Sequence, residues 1–341
     1  MTSVYEQFFG LRERPFDLSP DPRFLVLTES HGEALSGLRY AITSRKGLTL
    51  LIGEAGLGKT TLLRAALDEQ PERVHVIFVQ NPVLTRTEFV ELLARRFGLS
   101  KEAHGSKTAL LFELEELVGK ARQLGETTLL VIDEAQSLPT ELLEEIRLLA
   151  NIETNSEKLL SVIIAGQPEL ASRLNDPALR QFKQRIALRC RLRPLTADET
   201  TLYVAGRITA AGGVGGNVFT RQAVAEIFRR SGGVPRLASV IGDNAMMAGY
   251  AAGTKPVNAT LVDEVCAELD LPAPGADPAG DAPPDRPEPR DAEKAFRMLK
   301  ARVSLPAEPE PADAPSPKRS AASRPLFETV VRRRRFFFFG S

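Results

Sequence analysis

Residues 47–61 read GLTLLIGEAGLGKTT, and this stretch decides the fold. Its first six residues are an apolar run, the pattern of a strand covered on both faces. Gly53 to Thr60 then fit G-x-x-x-x-G-K-[ST], and residues 59–69 continue with helical spacing. Gly53, Gly56 and Gly58 permit turns and close approach that a Cβ would hinder. Successive N–H groups through Glu54, Ala55 and Leu57 then converge on an anion. The following helix start adds partial positive charge. Lys59 would carry its ammonium to the β- and γ-phosphates, Thr60 would offer a hydroxyl to Mg²⁺, and Thr61 would face the α-phosphate. The stretch reads as a strand, a phosphate cradle and a helix.

Outward from it, short apolar runs alternate with amphipathic stretches. Residues 74–80 (VHVIFVQ), 128–132 and 159–165 read as strands, and 186–192 as a fifth. Residues 87–97, 108–124 and 140–150 repeat apolar side chains every three or four positions, the helical period. The alternation predicts a parallel sheet with helices on both faces, a three-layer α/β/α arrangement. One predicted strand ends in two acids, LLVIDE at 129–134. Asp133, at the strand's carboxyl end, would hold Mg²⁺ through water, and Glu134 would orient or deprotonate a water that attacks phosphate. The spacing of the two motif strands leaves room for a further strand between them, the additional-strand class of P-loop fold.

Composition sets outer limits. Lys plus Arg equals Asp plus Glu at 44 each, so net charge supplies no general attraction to nucleic acid or to an anionic surface. The two cysteines, Cys190 and Cys266, are far apart and lack metal spacing, which favours a reducing, cytoplasmic setting over a structural disulfide. No run of about 18 apolar residues occurs, so no complete membrane span is encoded. Five regions follow from composition and pattern: an N-terminal segment (1–45) with a helix at 29–44, the α/β core (46–194), a helical region (195–270), a Pro-rich linker (271–325) and a basic, aromatic tail (326–341). Within the helical region, 197–210, 221–230, 235–252 and 260–269 read as four helices. Thr196 and Glu199 have capping-box spacing at the first.

Taken together, YEQFFGLRERPFDLSPDPRFL, HGEALSGLRYAI, GEAGLGKTTLLR, LLVIDEAQSL, IIAGQPEL, LRQFKQRI and GGVPRLASVIGDNA resemble the AAA+ ATPases of the general secretion pathway protein A type. The resemblance spans residues 4–270. Exopolysaccharide- and pilus-associated ATPases carry similar text, and ATPase subunits of transposition systems are more distant relatives. The resemblance implies ATP and Mg²⁺ as cofactors, hydrolysis to ADP and phosphate, a homo-oligomer (ring or filament) and a protein partner in envelope machinery. It places Gln167 in the sensor-1 region, where it either positions the lytic water or merely starts a helix. It makes Arg185 the arginine-finger candidate, with Arg180 as alternative; a solvated basic helix end is the plainer reading. Arg236 corresponds to the sensor-2 arginine of a helical lid. Phe16, Pro20, Pro22 and Phe24 either wrap the adenine side of the cleft or pack on the core, and His31 is expected to cap or pack rather than to catalyse. A DNA-dependent ATPase of the transposition-regulator class is the competing function.

The C-terminus departs from the family's pattern of a membrane helix. After the linker it reads VVRRRRFFFFGS, which suits a truncated membrane anchor, a peripheral membrane or partner-docking tail, or an unselected end. Residues 291–303 (DAEKAFRMLKARV) place Ala295, Phe296, Leu299 and Val303 on one helical face, a candidate docking helix or a transient one.

Overall fold

The computed structural model describes residues 5–19, 21–68, 73–80, 84–154 and 157–271. The expected tail and docking helix, and the linker beyond Leu271, lie outside the described residues.

Five parallel strands form one sheet: β1 (Leu48–Ile52), β2 (Val74–Val79), β3 (Thr127–Ile132), β4 (Leu160–Gly166) and β5 (Ile186–Arg191), in the order β2-β3-β4-β1-β5. β4 is therefore inserted between β1 and β3, as the separation of the two motif strands led us to expect. The helices of the N-terminal segment are α1 (Glu6–Phe9) and α2 (Glu29–Thr43). Those of the core are α3 (Lys59–Asp68), α4 (Arg86–Arg96), α5 (Lys101–Gly105), α6 (Lys107–Gln123), α7 (Thr140–Leu149), α8 (Pro168–Arg173) and α9 (Arg180–Arg185). The last four are α10 (Ala197–Ala210), α11 (Arg221–Ser231), α12 (Pro235–Ala251) and α13 (Ala259–Glu268). The long helices fall within a residue or two of their sequence expectations. The short α5 was not anticipated, and α8 and α9 only as a helix start at Gln167 and a basic helix end near Arg185, because a helix of one or two turns shows too few repeats to establish a period.

Strand alternation sorts the core into two layers. Leu48, Leu50 and Ile52 of β1 pack with Leu130, Ile132, Val162 and Ile164 under α4, α6 and α7. Leu51, Leu129, Val131 and Ile163 point the other way, against α2 and α3. All five residues of β1 are buried, as a central strand covered on both faces requires.

A separate apolar core holds α10 to α13 together. The N-terminal segment, expected as one piece on the cleft, is divided between the two cores. Tyr5, Phe9, Leu11, Phe16 and Phe24 belong to the core of the helical region, whereas Leu35, Leu38 and Ile42 of α2 belong to the sheet layer. Buried Arg207 of α10 fastens the first part: its guanidinium donates to the carbonyls of Pro15 and Asp17 and to the Tyr203 hydroxyl. Its charge also lies 5.1 Å from the centre of the Phe24 ring. At the start of α10, Thr196 and Glu199 form the expected reciprocal capping box. Cys190 and Cys266 are buried free thiols.

Replacing Arg207 with Met would keep the apolar stem but leave the Pro15 and Asp17 carbonyls without their donor. The expected loss is about 2–4 kcal/mol of stability, read as a lowered urea midpoint. An unchanged midpoint would mean that the segment is held by its apolar side chains alone.

Candidate functional site

Parallel strands bring all their carboxyl ends to one edge, and loops leaving that edge form the site. The register pairs Ile52 of β1 with Gly166 of β4, and Ile132 of β3 with Ile164. Gly53, Asp133 and Gln167, which follow those strands, are therefore neighbours on the sheet's rim.

Gly53–Thr60 wraps the start of α3. Gly56 and Gly58 have φ of 81° and 86°, in the left-handed region that side chains with a Cβ avoid. Gly56 is also closely approached: an added Cβ would lie 2.9 Å from Arg236 Cβ and 3.0 Å from Val234 Cγ1. The Arg236 N–H donates to the Gly56 carbonyl at 3.2 Å, so the first turn of α12 rests directly on the loop. Lys59 is 4% exposed, and its ammonium donates to the carbonyls of Gly53 at 2.8 Å and Glu54 at 3.0 Å. Burial lowers its pKa, against the opposing pull of the Glu134, Asp133 and Glu169 carboxylates.

Thr60 Oγ1 donates to Asp133 Oδ2 at 2.5 Å. Asp133 is fully buried, and burial raises its pKa. The Thr60 hydroxyl and the Glu134 N–H, 2.9 Å from Oδ1, work in the opposite direction. Glu134 has φ 57° and ψ 36°, an uncommon conformation for a residue with a long side chain. Ser137 holds this turn, its N–H and hydroxyl both donating to the Glu134 carbonyl.

Gln136 was not singled out from the sequence. Its side-chain amide donates to Glu134 Oε2, its Oε1 accepts from the Gln167 N–H at 3.1 Å, and its carbonyl accepts from Arg173 Nη1 at 2.8 Å. Gln167 Nε2 also reaches Glu134 Oε2, at 3.4 Å. Its place in DEAQ, two residues past Glu134, was the available signal. The link to Gln167 depends on β3 and β4 being neighbours, which local sequence does not state.

A cavity of about 290 Å³ opens beside the loop, lined by Gly56 to Thr61, Glu134 and Arg236 on one side. Its other walls include Asp17, Phe24, Tyr203, Arg207 and Ser239, none but Phe24 singled out from sequence. Phe16 lies instead against Phe219 and Gly242 in the core of the helical region. Pro20 and the Pro22 side chain lie outside the described residues. Arg180 and Arg185 are exposed on α9 and do not line the cavity.

His31 sits in the first turn of α2 and is 3% exposed. Its Nδ1 lies 2.7 Å from Thr28 Oγ1, and its Nε2 2.9 Å from the Leu57 carbonyl of the loop. It packs, as expected, but packs onto the loop. Burial lowers its pKa; the Leu57 carbonyl and Glu199 favour the proton, and Arg193 opposes it.

That shift has a sign. A histidine held neutral in the fold binds its proton more readily when unfolded, so stability falls as pH drops below the unfolded value of 6.5. Between pH 6.5 and 5.5 the wild type should lose more stability than His31→Gln, by up to about 1 kcal/mol. Urea midpoints of both proteins across this window check it; parallel curves would contradict a neutral His31.

Residues 42–174 match the family described as AAA domain. General secretion pathway protein A of Aeromonas hydrophila is 40% identical over 256 residues, 74% of this chain and 46% of that protein. The chain thus spans less than half the length of this relative. Among solved structures, ORC2 of Aeropyrum pernix aligns with a TM-score of 0.56 at 20% identity, covering 75% of this chain and 71% of that one. Cdc6p of Pyrobaculum aerophilum aligns with a TM-score of 0.56 at 18% identity, covering 75% and 70%. At such identities these two speak for the fold alone. The long collinear match and the shared AAA fold assign the chain to the AAA ATPases of the general secretion pathway protein A type.

Proposed function

We propose that this chain binds ATP with Mg²⁺ and hydrolyses it to ADP and phosphate, as the oligomeric motor or switch of an envelope secretion or export apparatus. The observation that carries the reading is the contact between Thr60 and Asp133 beside buried Lys59. A hydroxyl and a carboxylate oxygen at this spacing suit a hard cation, and the ammonium suits the phosphates that accompany it. The described residues gather no group of three or more metal-ligating side chains, so a cation here would draw its other ligands from phosphate and water. Bound Mg²⁺ would supply charge neutralisation on the phosphate oxygens.

In this reading Gly53 to Thr61 cradle the phosphates, with Glu54, Ala55 and Leu57 contributing backbone. Lys59 holds the β- and γ-oxygens. Thr60 and Asp133 would hold the ion, which would neutralise charge on the phosphate oxygens. Glu134 orients and deprotonates the attacking water, and the Gln136 and Gln167 amides restrain its carboxylate. Arg236 reports the nucleotide's state to α10–α13, which act as a lid: its contact with Gly56 already joins the two. Arg185, exposed on α9, serves the site of a neighbouring subunit. The secretion setting rests on the name of the Aeromonas hydrophila relative. No helix among the described residues is long and apolar enough to cross a membrane.

A second reading, a DNA-dependent ATPase, draws on exposed Arg180, Arg185, Arg189 and Arg191. Strong, salt-sensitive stimulation of turnover by duplex DNA would favour it, and a flat response would favour the secretion reading.

Lys59→Ala should lose nucleotide binding. Glu134→Gln should bind ATP as the wild type does and turn over about 100-fold or more slowly; undiminished steady-state hydrolysis would remove Glu134 from its role. Arg185→Ala subunits mixed with Glu134→Gln subunits should regain activity, because each would supply what the other lacks. No recovery at any mixing ratio would exclude a shared site built on Arg185.

A further inference from the structure

His31 is a buried titratable group that the proposed hydrolysis does not use, yet it touches the phosphate loop. Its partners fix its chemical form. The Leu57 carbonyl only accepts, so Nε2 at 2.9 Å carries the proton and donates. In a neutral ring Nδ1 then accepts, from the Thr28 hydroxyl at 2.7 Å.

Thr28 provides an independent sign that this geometry matters. It is the N-cap residue of α2, a position where a threonine hydroxyl ordinarily accepts from a helix N–H and stabilises the helix by about 1 kcal/mol. Here the Thr28 side chain makes no such capping bond. Its hydroxyl orients the imidazole instead, and Thr28 itself is 5% exposed.

The acceptor is equally telling. Leu57 lies between Gly56 and Gly58, both at positive φ, and its side chain is fully buried in the α2–α3 core. A peptide followed by glycine can flip at small steric cost, because glycine tolerates φ of either sign. In a planar trans peptide the C=O and the next N–H point in opposite directions. Whatever pins the Leu57 oxygen therefore also sets the direction of the Gly58 N–H. A flipped peptide would exchange a donor for an acceptor at a loop meant to meet phosphate.

We propose that His31 is a positioning residue for nucleotide binding: it latches the Leu57–Gly58 peptide in the orientation that offers the Gly58 N–H, and not the Leu57 oxygen, to the phosphates. This rests on the nucleotide site proposed above. The latch acts on a group that meets phosphate in ATP and ADP alike, so its loss weakens both and leaves turnover at saturating ATP largely intact.

Three substitutions separate a latch from a filler. His31→Gln places an amide N–H near the position of Nε2. His31→Asn is too short to reach Leu57 but retains polar contact with Thr28. His31→Phe keeps the ring and removes the donor. Full-chain proteins would be titrated with ATP and with ADP, each with Mg²⁺, and their kcat and KM measured. His31→Phe and His31→Asn should bind both nucleotides about 10-fold more weakly, with KM raised and kcat within about 3-fold of wild type. His31→Gln should stay within about 3-fold of wild type in all of these. Urea midpoints identify any variant that is unfolded, and the Gln and Asn pair then carries the comparison. His31→Phe binding as tightly as wild type would overturn the latch, as would His31→Asn matching His31→Gln. A loss of kcat without a change in affinity would overturn it too. Wild-type protein that bound neither nucleotide would overturn the site reading itself, a result distinct from tight wild-type binding that is indifferent to His31.

Discussion

The hydrogen bond from Thr60 to Asp133 ties the two halves of the site together, and much of the architecture exists to make it possible. Thr60 belongs to the helix after β1 and Asp133 to the end of β3, with β4 lying between those strands. The bond must therefore bridge the rim over an intervening strand, and it does so at 2.5 Å. That requires a β1–β4–β3 register held by continuous burial, since a slip of one residue would turn Asp133 to the other face. It also keeps a fully buried carboxylate supplied with two donors, Thr60 and the Glu134 N–H, against a burial that favours its protonated form. The inserted strand is not idle. Its end delivers Gln167 to Glu134, and Gln136 bonds to both.

A second constraint comes from having two apolar cores. The sheet with its helices and the α10–α13 bundle bury separate sets of side chains. The N-terminal segment contributes to both, with Phe16 and Phe24 in one and α2 in another. It passes the cavity on the way, lining it with Asp17 and Phe24. At its far end, His31 grips the loop that Arg236 touches from the bundle side. The loop is thus held from two directions by elements distant in sequence. Any rearrangement of the bundle over the sheet would strain or relax the same few peptides.

Legibility in the sequence followed the range of the interaction. The phosphate loop was readable because its chemistry is local: glycines, Lys59 and Thr60 act within one turn of one another. Strands β1 and β3 were readable because burial on both faces leaves a continuous apolar run. The capping box of Thr196 and Glu199 needs four consecutive residues and was found in them. Long-range pairings left weaker marks. His31 could be read as buried, but nothing near it names Leu57 as its acceptor. Arg207 looks like a mid-helix arginine until the chain from Pro15 to Asp17 is folded against it. The division of the N-terminal segment was hidden for the same reason, since its aromatics suit either core.

Strand register also bears on Arg185. It immediately precedes β5, whose first residue Ile186 pairs with Leu48 at the start of β1, whereas Arg191 pairs with Ile52 at the end. Arg185 therefore lies at the amino edge of a sheet whose carboxyl edge carries the phosphate loop. The length of β5, roughly 17–20 Å at about 3.3 Å per residue, separates the two. An arginine side chain does not span that distance, and Arg185 is exposed rather than folded along the strand. Bending of α9 would not change this, because β5 is fixed to β1 along its whole length. Arg180, at the start of the same short helix and also exposed, stands outside the cavity as well. Within one subunit, then, Glu134, Lys59 and Arg236 are gathered at a common cavity and the α9 arginines are excluded from it by topology. Either they complete the site of another copy, in which case assembly and turnover are inseparable, or the proposed hydrolysis proceeds without an arginine from α9.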